Sequence, residues 1–265
     1  MIATRPLALS LTLVFILPGM SLAEPQEPAV VSQAVAEQPA AQLAAPVEHP
    51  QTLGTIFKDL WADVRHLPSR EALLLGAVGG GLAIGVHPFD DDVNQKLAKD
   101  SGLFSIGHGL GNAVTIFGGA LATYGVGRAI GKEKVAHVGL DLLRSEILTA
   151  AMVQTIKRSV RRERPDGSGG FAFPSGHAAM TFAAAAVLDR HHSWRFAIPA
   201  YTLATYVATS RLRDNRHYLS DVVFGAAVGT IIGRTVTRHA ATGFAVVPQV
   251  SSSGAAVFFV RTPRA

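Results

Sequence analysis

The sequence contains no cysteine. Disulfide bonds, cysteine-based metal sites and cysteine nucleophiles are therefore excluded, and packing alone must hold the fold together. Long uncharged runs are also scarce. Among the predicted helical segments, only residues 109–127 give 19 uncharged residues in succession, and the others reach at most 15, against the roughly 20 that a bilayer-spanning helix needs. Run length thus favours a soluble helical bundle and leaves a membrane-embedded one open.

The N-terminus has the layout of an export signal. Arg5 precedes an apolar run over residues 7–17, and a Ser-Leu-Ala sequence before Glu24 offers a cleavage site. The residues that follow are rich in Ala, Pro, Gln and Glu and lack a sustained apolar face, which is typical of a flexible spacer. We therefore predict a signal peptide over 1–23, a linker over 24–52, one folded domain over 53–240 and a tail over 241–265.

The folded domain is predicted to be all-α, a single bundle of about six core helices. Its apolar residues recur with helical rather than alternating periodicity. The predicted core segments are 72–87, 109–130, 135–160, 177–190, 195–210 and 218–238, with a shorter amphipathic helix at 55–66. Glycines recur every four residues, which indicates helix faces that pack closely. They are Gly76 and Gly80, Gly81 and Gly85, and Gly225, Gly229 and Gly233. Two β-prone runs around a Ser-Ser-Ser-Gly turn predict a small hairpin in the tail.

Positive charge is concentrated in one place. The formal net charge is +5, and five of the positive residues lie within 157–164. Such a local excess suits an anionic substrate or a membrane surface. Aromatic residues do not interleave with it, so a nucleic-acid partner is not expected.

Three polar segments interrupt the apolar helices. The first, "KRSVRRERP", runs from Lys157 to Pro165, and the second is the quartet "PSGH" that ends at His177. In the third, "SRLRDNRHYLSD", His217 and Asp221 stand four residues apart and so share one helix face. Each segment alone has a structural explanation, as a basic helix end, a helix N-cap and an exposed ion pair. Together they place cations, a hydroxyl, a free helix N-terminus and two imidazoles at the ends of helices.

These groups are the ones that phosphoryl chemistry requires. Guanidinium, ammonium and backbone N–H groups bind the equatorial oxygens of a phosphoryl group. A helix that begins at Ser175 and Gly176 adds donors and positive potential, and a glycine lets the phosphate approach the backbone. A carboxylate bonded to one imidazole nitrogen leaves the other as a directed base or nucleophile.

In order and internal spacing the three segments resemble the signature of the type 2 phosphatidic acid phosphatase and vanadium haloperoxidase superfamily. The positions that match are Lys157, Arg164, Pro165, Pro174, Ser175, Gly176, His177, Ser210, Arg211, His217 and Asp221. The resemblance covers residues 157–221 by motif. The linker between the first two segments, "DGSGGFAF", is shorter than in many relatives, which puts in doubt any lid carried there.

The resemblance implies a phosphatase domain over 53–240 that hydrolyses phosphate monoesters of small molecules or lipids. It implies that His217 is the nucleophile that becomes a phosphohistidine, that Asp221 orients it, and that His177 is first an acid and then a base. It further implies a phosphate clamp, which consists of Lys157, Arg164, Ser175, Gly176 and Arg211. Neither metal nor cofactor is expected, although vanadate could bind as a phosphate analogue.

Two alternatives remain open from the sequence. Vanadate in the same clamp would support a haloperoxidase, although such enzymes are usually larger. A non-catalytic membrane-associated protein would use the basic run electrostatically and would leave both histidine motifs unexplained.

The location of the protein also has two interpretations. Signal cleavage followed by three spans before Lys157 would place the site in the cytoplasm, in disagreement with the outward-facing relatives that the resemblance implies. That conflict disappears if the bundle is soluble. The sequence therefore predicts an exported periplasmic protein with possible inner-membrane association, and an integral inner-membrane protein is the alternative.

Overall fold

The computed structural model describes residues 52–98, 102–192, 194–238, 244–251 and 254–261. The predicted signal peptide and all but the last residue of the predicted linker lie outside these residues. The helices are α1 Ile56–His66, α2 Arg70–Val86, α3 Asp90–Leu97, α4 Gly102–Leu110, α5 Ala113–Ala129, α6 Glu133–Val160, α7 Gly176–His191, α8 Trp194–Arg213 and α9 Leu219–Val236. The strands are β1 Phe244–Ser251 and β2 Gly254–Arg261. The prediction of an all-α bundle with a β-prone tail is confirmed.

Each of the six predicted core segments overlaps one of the long helices, and most helix ends lie within three residues of the predicted ones. The start of the segment predicted at 109–130 was wrong, because α5 begins only at Ala113. The side chain of Asn112 accepts a hydrogen bond from the backbone N–H of Thr115 at 2.9 Å and so caps α5. Residues 109 and 110 belong instead to α4.

The periodicity predicts no helix between residues 88 and 108, yet the structure has two there, α3 and most of α4. Each spans fewer than ten residues, which is too short for a 3.6-residue period to be recognised reliably. A local signal for α3 exists, since Asp90, Asp91 and Asp92 form its first turn, where the helix dipole favours negative charge.

The long helices run between two ends of the bundle. At the end that we call the site end, α7 and α9 both begin, and the Ser175 N–H donates to the carbonyl of Asp221 at 2.9 Å. At the opposite end, the far end, His191 near the end of α7 contacts Asp141 of α6 at 2.7 Å. Consecutive long helices therefore alternate in direction, and the three polar motifs come together at one end.

The glycines of α9 make the central helix contact of the bundle. A Cβ on Gly225, Gly229 or Gly233 would overlap the backbone of α7. The prediction of a close-packed glycine face is confirmed for this helix. Because α7 and α9 pack so closely, the residues at their first turns are brought within reach of one another.

The glycines of α2 behave differently. A Cβ on Gly80, Gly81 or Gly85 would meet no atom within 4 Å, so the predicted close approach there was wrong. Gly79 is the position where α2 approaches α9, at Ala227. Much of α2 is therefore an outer surface of the helical unit, and that surface is apolar.

Large apolar side chains are exposed on several helices. On α2 they are Leu73, Leu74, Val78, Leu82 and Ile84, on α5 Val114, Leu121 and Val126, and on α8 Trp194, Phe196, Ile198 and Leu203. Within the described residues, two stretches are long and apolar enough to cross a membrane, Arg70–Leu97 and Leu219–Val236. Only 17% of the apolar window in the first is buried, whereas 56% of that in the second is buried.

The tail forms a separate antiparallel hairpin. Its register pairs Phe244 with Arg261 and Ser251 with Gly254. This agrees with the two β-prone runs of the sequence.

Candidate active site

A cavity of about 240 Å³ opens at the site end of the bundle. Its walls come from α6, α7, the loops before α5 and α7, and the segment before α9. The lining residues are Gly111, Ala113, Ala150, Val153, Gln154, Lys157, Arg164, Gly176, His177, Met180 and His217. Five of the eight residues predicted for the site line this cavity, and Ser175, Arg211 and Asp221 are not among its lining residues.

Lys157 lies in the last turn of α6. Its Nζ donates to two backbone carbonyls, Phe171 at 2.5 Å and Ala172 at 3.2 Å. An ammonium has three protons, so one donor remains for the cavity. The position follows from the sequence, because the loop "DGSGGFAF" returns the chain directly over the end of α6 before "PSGH".

Arg164 lies between the end of α6 and this loop, and it lines the cavity together with Lys157. Its NH1 is 3.5 Å from the hydroxyl of Ser168, which also accepts from Arg216 at 2.7 Å. Arg216 forms an ion pair with Asp166 at 3.2 Å. A hydrogen bond and an ion pair of Arg216 thus hold the short loop against the segment before α9.

The PSGH quartet begins α7 as the sequence predicts. Ser175 is the N-cap, fully buried, and its side chain accepts from the N–H of Ala178. Gly176 and His177 form the first turn and face the cavity. The free N–H groups of this turn and the positive end of the helix dipole face the same cavity as Lys157 and Arg164.

His217 and Asp221 form the pair that their spacing predicts, at the start of α9. The Nδ1 of His217 lies 3.7 Å from Oδ2 of Asp221, which is close enough for an ionic contact and too long for a hydrogen bond. The same Oδ2 accepts from the backbone N–H of Tyr218 at 2.8 Å. Burial lowers the pKa of His217 below its usual range; the charges of Lys157 and Arg211 act in the same direction, and Asp221 opposes them.

Arg162 holds the other oxygen of Asp221, a contact that sequence reasoning missed. Its NH1 donates to Oδ1 of Asp221 at 2.8 Å, and its NH2 donates to Asp90 at 2.8 Å. Asp90 is buried and also accepts twice from Ser220, at 2.9 Å and 2.6 Å. Arg162 occupies one of the positions of the first motif whose identity the signature leaves free, so only the tertiary structure reveals it.

Arg211 reaches the site from the last turn of α8. Its NH1 donates to Asp214 at 2.8 Å and lies 3.2 Å from Nδ1 of His108. The ring of His108 stacks on that of His177, with centroids 5.3 Å apart and an angle of 25°. His108 is also absent from the predicted set, because it belongs to α4, which the periodicity does not predict.

Several buried nitrogen atoms at this end have no hydrogen-bond partner among the described residues. They are Nε of Arg164, Nε of Arg211, Nε2 of His177 and Nδ1 of His217. Buried polar groups are normally satisfied, so each such atom requires an explanation. Three of these side chains, those of Arg164, His177 and His217, line the cavity beside the N-terminus of α7. This arrangement fits a small oxyanion.

Comparison with known proteins agrees with the motifs. Residues 138–245 match the family model of the PAP2 superfamily. This match includes all three polar motifs, most of α6 and all of α7 to α9, so the resemblance drawn from the signature is confirmed.

Individual PAP2 relatives match shorter segments. The chain is 40% identical over 89 residues to a lipid A 1-phosphatase of Porphyromonas gingivalis, which covers 32% of this chain and 20% of that protein. It is 37% identical over 95 residues to a decaprenylphosphoryl-5-phosphoribose phosphatase of Mycobacterium tuberculosis, which covers 32% of this chain and 52% of that one. The matches thus span a fifth and about half of these two relatives.

Among solved structures, the chain is similar to a transmembrane PAP2-type phosphatidylglycerolphosphate phosphatase from Bacillus subtilis. The identity is 19%, the TM-score is 0.46, and the alignment covers 69% of this chain and 92% of that one.

Proposed function

We propose that this protein is a phosphatase that hydrolyses phosphate monoesters of lipids through a phosphohistidine intermediate. The observation that carries the proposal is the meeting of two imidazoles, two cationic side chains and a helix N-terminus around one cavity. Buried nitrogen atoms of Arg164, His177 and His217 there have no hydrogen-bond partner among the described residues. The PAP2 relatives support it, since their names describe phosphatases of lipid A and of a polyprenyl-linked sugar phosphate.

In the first step His217 attacks phosphorus. The nitrogen directed away from Asp221 forms the new N–P bond while the bond from phosphorus to the leaving oxygen breaks. A lowered pKa keeps this imidazole neutral, and so nucleophilic, at neutral pH. Asp221 lies beside the other nitrogen and stabilises the positive charge that develops on the ring.

His177 moves the protons. It donates one to the departing alkoxide in the first step and takes one from water in the second. That water attacks phosphorus, the N–P bond breaks, and inorganic phosphate leaves with His217 regenerated. Lys157, Arg164 and Arg211, with the Gly176 N–H group, stabilise the charge on the equatorial oxygens throughout.

The reaction requires no metal ion in this proposal. In many phosphoryl-transfer sites a divalent cation neutralises the equatorial oxygens. Here one ammonium and two guanidinium groups supply that positive charge, and both guanidiniums can bind two oxygens at once.

The proposed location is a membrane, which selects the alternative of the two interpretations that the sequence left open. A soluble protein rarely exposes an extended apolar surface, yet α2, α5 and α8 expose large aliphatic and aromatic side chains along their length. These helices flank the bundle, so lipid chains would surround it. Individual uncharged runs are short because charged residues at the helix ends interrupt them.

Aromatic side chains mark one boundary of this apolar surface. Trp61 on α1 and Trp194 at the start of α8 are both exposed and both lie at the far end. Phe57, one turn before Trp61, is also exposed. Tryptophan is enriched where a bilayer meets water, so the far end is proposed to lie at one membrane surface and the catalytic cavity at the other.

The function is tested by measuring phosphate release from purified protein in detergent micelles. Phosphatidate and p-nitrophenyl phosphate serve as substrates, and His217→Ala serves as the inactive control. We expect both to be hydrolysed, with a higher kcat/KM for the lipid. Absence of phosphate release from either substrate, or undiminished release by His217→Ala, would reject the proposal. Bromide oxidation by the vanadate-loaded protein would indicate a haloperoxidase instead.

The location is tested with single cysteines, since the native chain has none. Lys58→Cys reports the far end and Gly169→Cys the site end. In intact cells a membrane-impermeant maleimide should label only one of the two. Labelling of both, or extraction of the protein by salt without detergent, would contradict a membrane-spanning bundle.

A further inference from the structure

The short helix α4 lies against the catalytic cavity and carries a histidine that the PAP2 signature does not contain. Two glycines allow this approach. A Cβ on Gly107 would clash with the side chain of Ser210, and a Cβ on Gly111 would clash with Val207 and with the His177 ring. The backbone of α4 and of the turn that follows it therefore packs directly on the catalytic elements.

Aromatic contacts hold α4 in the same position from the other side. Phe104 stacks on Tyr206 of α8, with ring centroids 5.2 Å apart. The guanidinium of Arg213, also on α8, lies 4.9 Å from the centre of the Phe104 ring. These contacts and the close approach at Gly111 fix the residues between Phe104 and Gly111 against α8.

His108 contacts two groups of the proposed machinery. Its Nδ1 lies 3.2 Å from NH1 of Arg211. A guanidinium only donates, so Nδ1 accepts and the proton of a neutral His108 is on Nε2. Its ring stacks on that of His177. One residue therefore touches both the phosphate clamp and the proposed acid.

We propose that His108 is a positioning residue of this phosphatase. Its imidazole holds the Arg211 guanidinium in the orientation that binds phosphate, and its ring, stacked on His177, holds that side chain in line with the leaving oxygen. The inference rests on the proposed function for its catalytic consequence, whereas its effect on phosphate binding stands independently. Because the His108 side chain is exposed, its removal should change the stability of the fold little. The effect of a substitution there should therefore appear in phosphate binding and catalysis.

The test compares two substitutions of His108. His108→Asn keeps an oxygen acceptor close to the position of Nδ1, whereas His108→Ala removes the acceptor. Inorganic phosphate is titrated calorimetrically into each protein. We expect His108→Ala to weaken phosphate binding about three- to tenfold and His108→Asn to stay within about twofold of the wild type. The kcat/KM for phosphatidate should fall in the same order.

The role of the α4 backbone is tested at two glycines. Gly111→Ala should lower kcat about tenfold or more, since the added methyl group displaces the turn from His177. Gly109→Ala is the matched control, because a Cβ at Gly109 meets no atom within 4 Å. His66→Ala, an exposed histidine of α1 at the far end, controls for the loss of an imidazole. Melting temperatures of all variants show whether the fold is retained.

Equal phosphate affinity in wild type and His108→Ala would overturn the proposal, as would equal losses in the Ala and Asn variants. Failure of the wild type to hydrolyse any ester would reject the proposed function only. The ranking of phosphate affinities would then still decide whether His108 positions Arg211.

Discussion

Both ends of the helical bundle gather charged side chains, but the charges balance each other only at the far end. There Arg144 contacts Asp141 at 2.5 Å and Asp63 at 3.6 Å. Asp63 also forms an ion pair with Arg238. His191 contacts Asp141 from α7. Asp63, Asp141 and Arg144 are almost fully buried. This network joins α1, α6, α7 and the residues after α9.

At the site end the positive charges outnumber their partners. Lys157 is held by carbonyl oxygens, which carry no net charge, and neither Lys157 nor Arg164 forms an ion pair with a carboxylate among the described residues. The carboxylate of Asp221, which could have balanced them, is already engaged by Arg162. The comparison teaches that a charge cluster is structural where it is neutral within itself and points to a ligand where it is not. Substitutions at the far end should therefore cost stability, and those at the site end should cost activity.

The largest effect is expected at His217. His217→Ala removes the covalent route, so kcat should fall roughly a thousandfold or more and no phosphoenzyme should form.

The loss of activity in His177→Ala should be mild with p-nitrophenyl phosphate and severe with an alkyl phosphate, because only the alkoxide needs a proton. Rapid quench with labelled substrate should show an acid-labile, alkali-stable phosphohistidine accumulating in His177→Ala. A label on His177, or equal losses of activity with both leaving groups, would contradict the assignment of His217 as nucleophile and His177 as acid and base.

At the far end, Arg144→Met should lower the free energy of unfolding by about 3–5 kcal/mol, because it leaves buried carboxylates without their main partner. Thermal unfolding in detergent measures this change. Arg128→Met is the control, since Arg128 forms an exposed ion pair with Glu133 at 2.7 Å and such pairs contribute about 0–1 kcal/mol. The activity of folded Arg144→Met at low temperature should match the wild type. A large loss of activity without a loss of stability would contradict the division between the two ends.

Arg164→Lys preserves the charge at the site end and removes the planar fork. We expect kcat/KM to fall ten- to a thousandfold, or roughly 1.4 to 4 kcal/mol, with little change in melting temperature. Steady-state kinetics with phosphatidate provide the measurement. Near wild-type turnover would mean that Arg164 serves only as the charged end of α6.

A smaller effect is expected at Arg162, which contacts Asp221 and not the cavity. Arg162→Met should reduce kcat about tenfold with KM unchanged, because Asp221 loses the donor that fixes its orientation. Arg158→Met, an exposed arginine one turn earlier, is the matched control. A rise in KM without a change in kcat would indicate that Arg162 contacts the substrate instead.

No effect is expected from chelation. Activity should be retained in excess EDTA, and orthovanadate should inhibit by occupying the clamp. Dependence of the rate on an added divalent ion would show that the cations of the site end do not suffice.

Sequence and structure contribute differently to this picture. The core helices could be predicted because helical periodicity is a local property, although the ends shifted where Asn112 caps α5. The eight residues proposed for the site could be named from the sequence because the motifs carry their own spacing, and five of them line one cavity in the structure. The location could not be decided, because uninterrupted run length does not reveal which helix faces remain exposed once the helices pack.

By itself, the sequence determined the helical class and the hairpin of the tail, and it carries the motifs from which the clamp and the two histidines are proposed. Only the tertiary structure decided which further residues serve the site. His108 and Asp90 reach it from segments far along the chain, and Arg162 turns from a basic run toward Asp221. The physical reason is that hydrogen-bond periodicity and motif spacing act within a few residues, whereas the balance of buried charge depends on which helix ends meet.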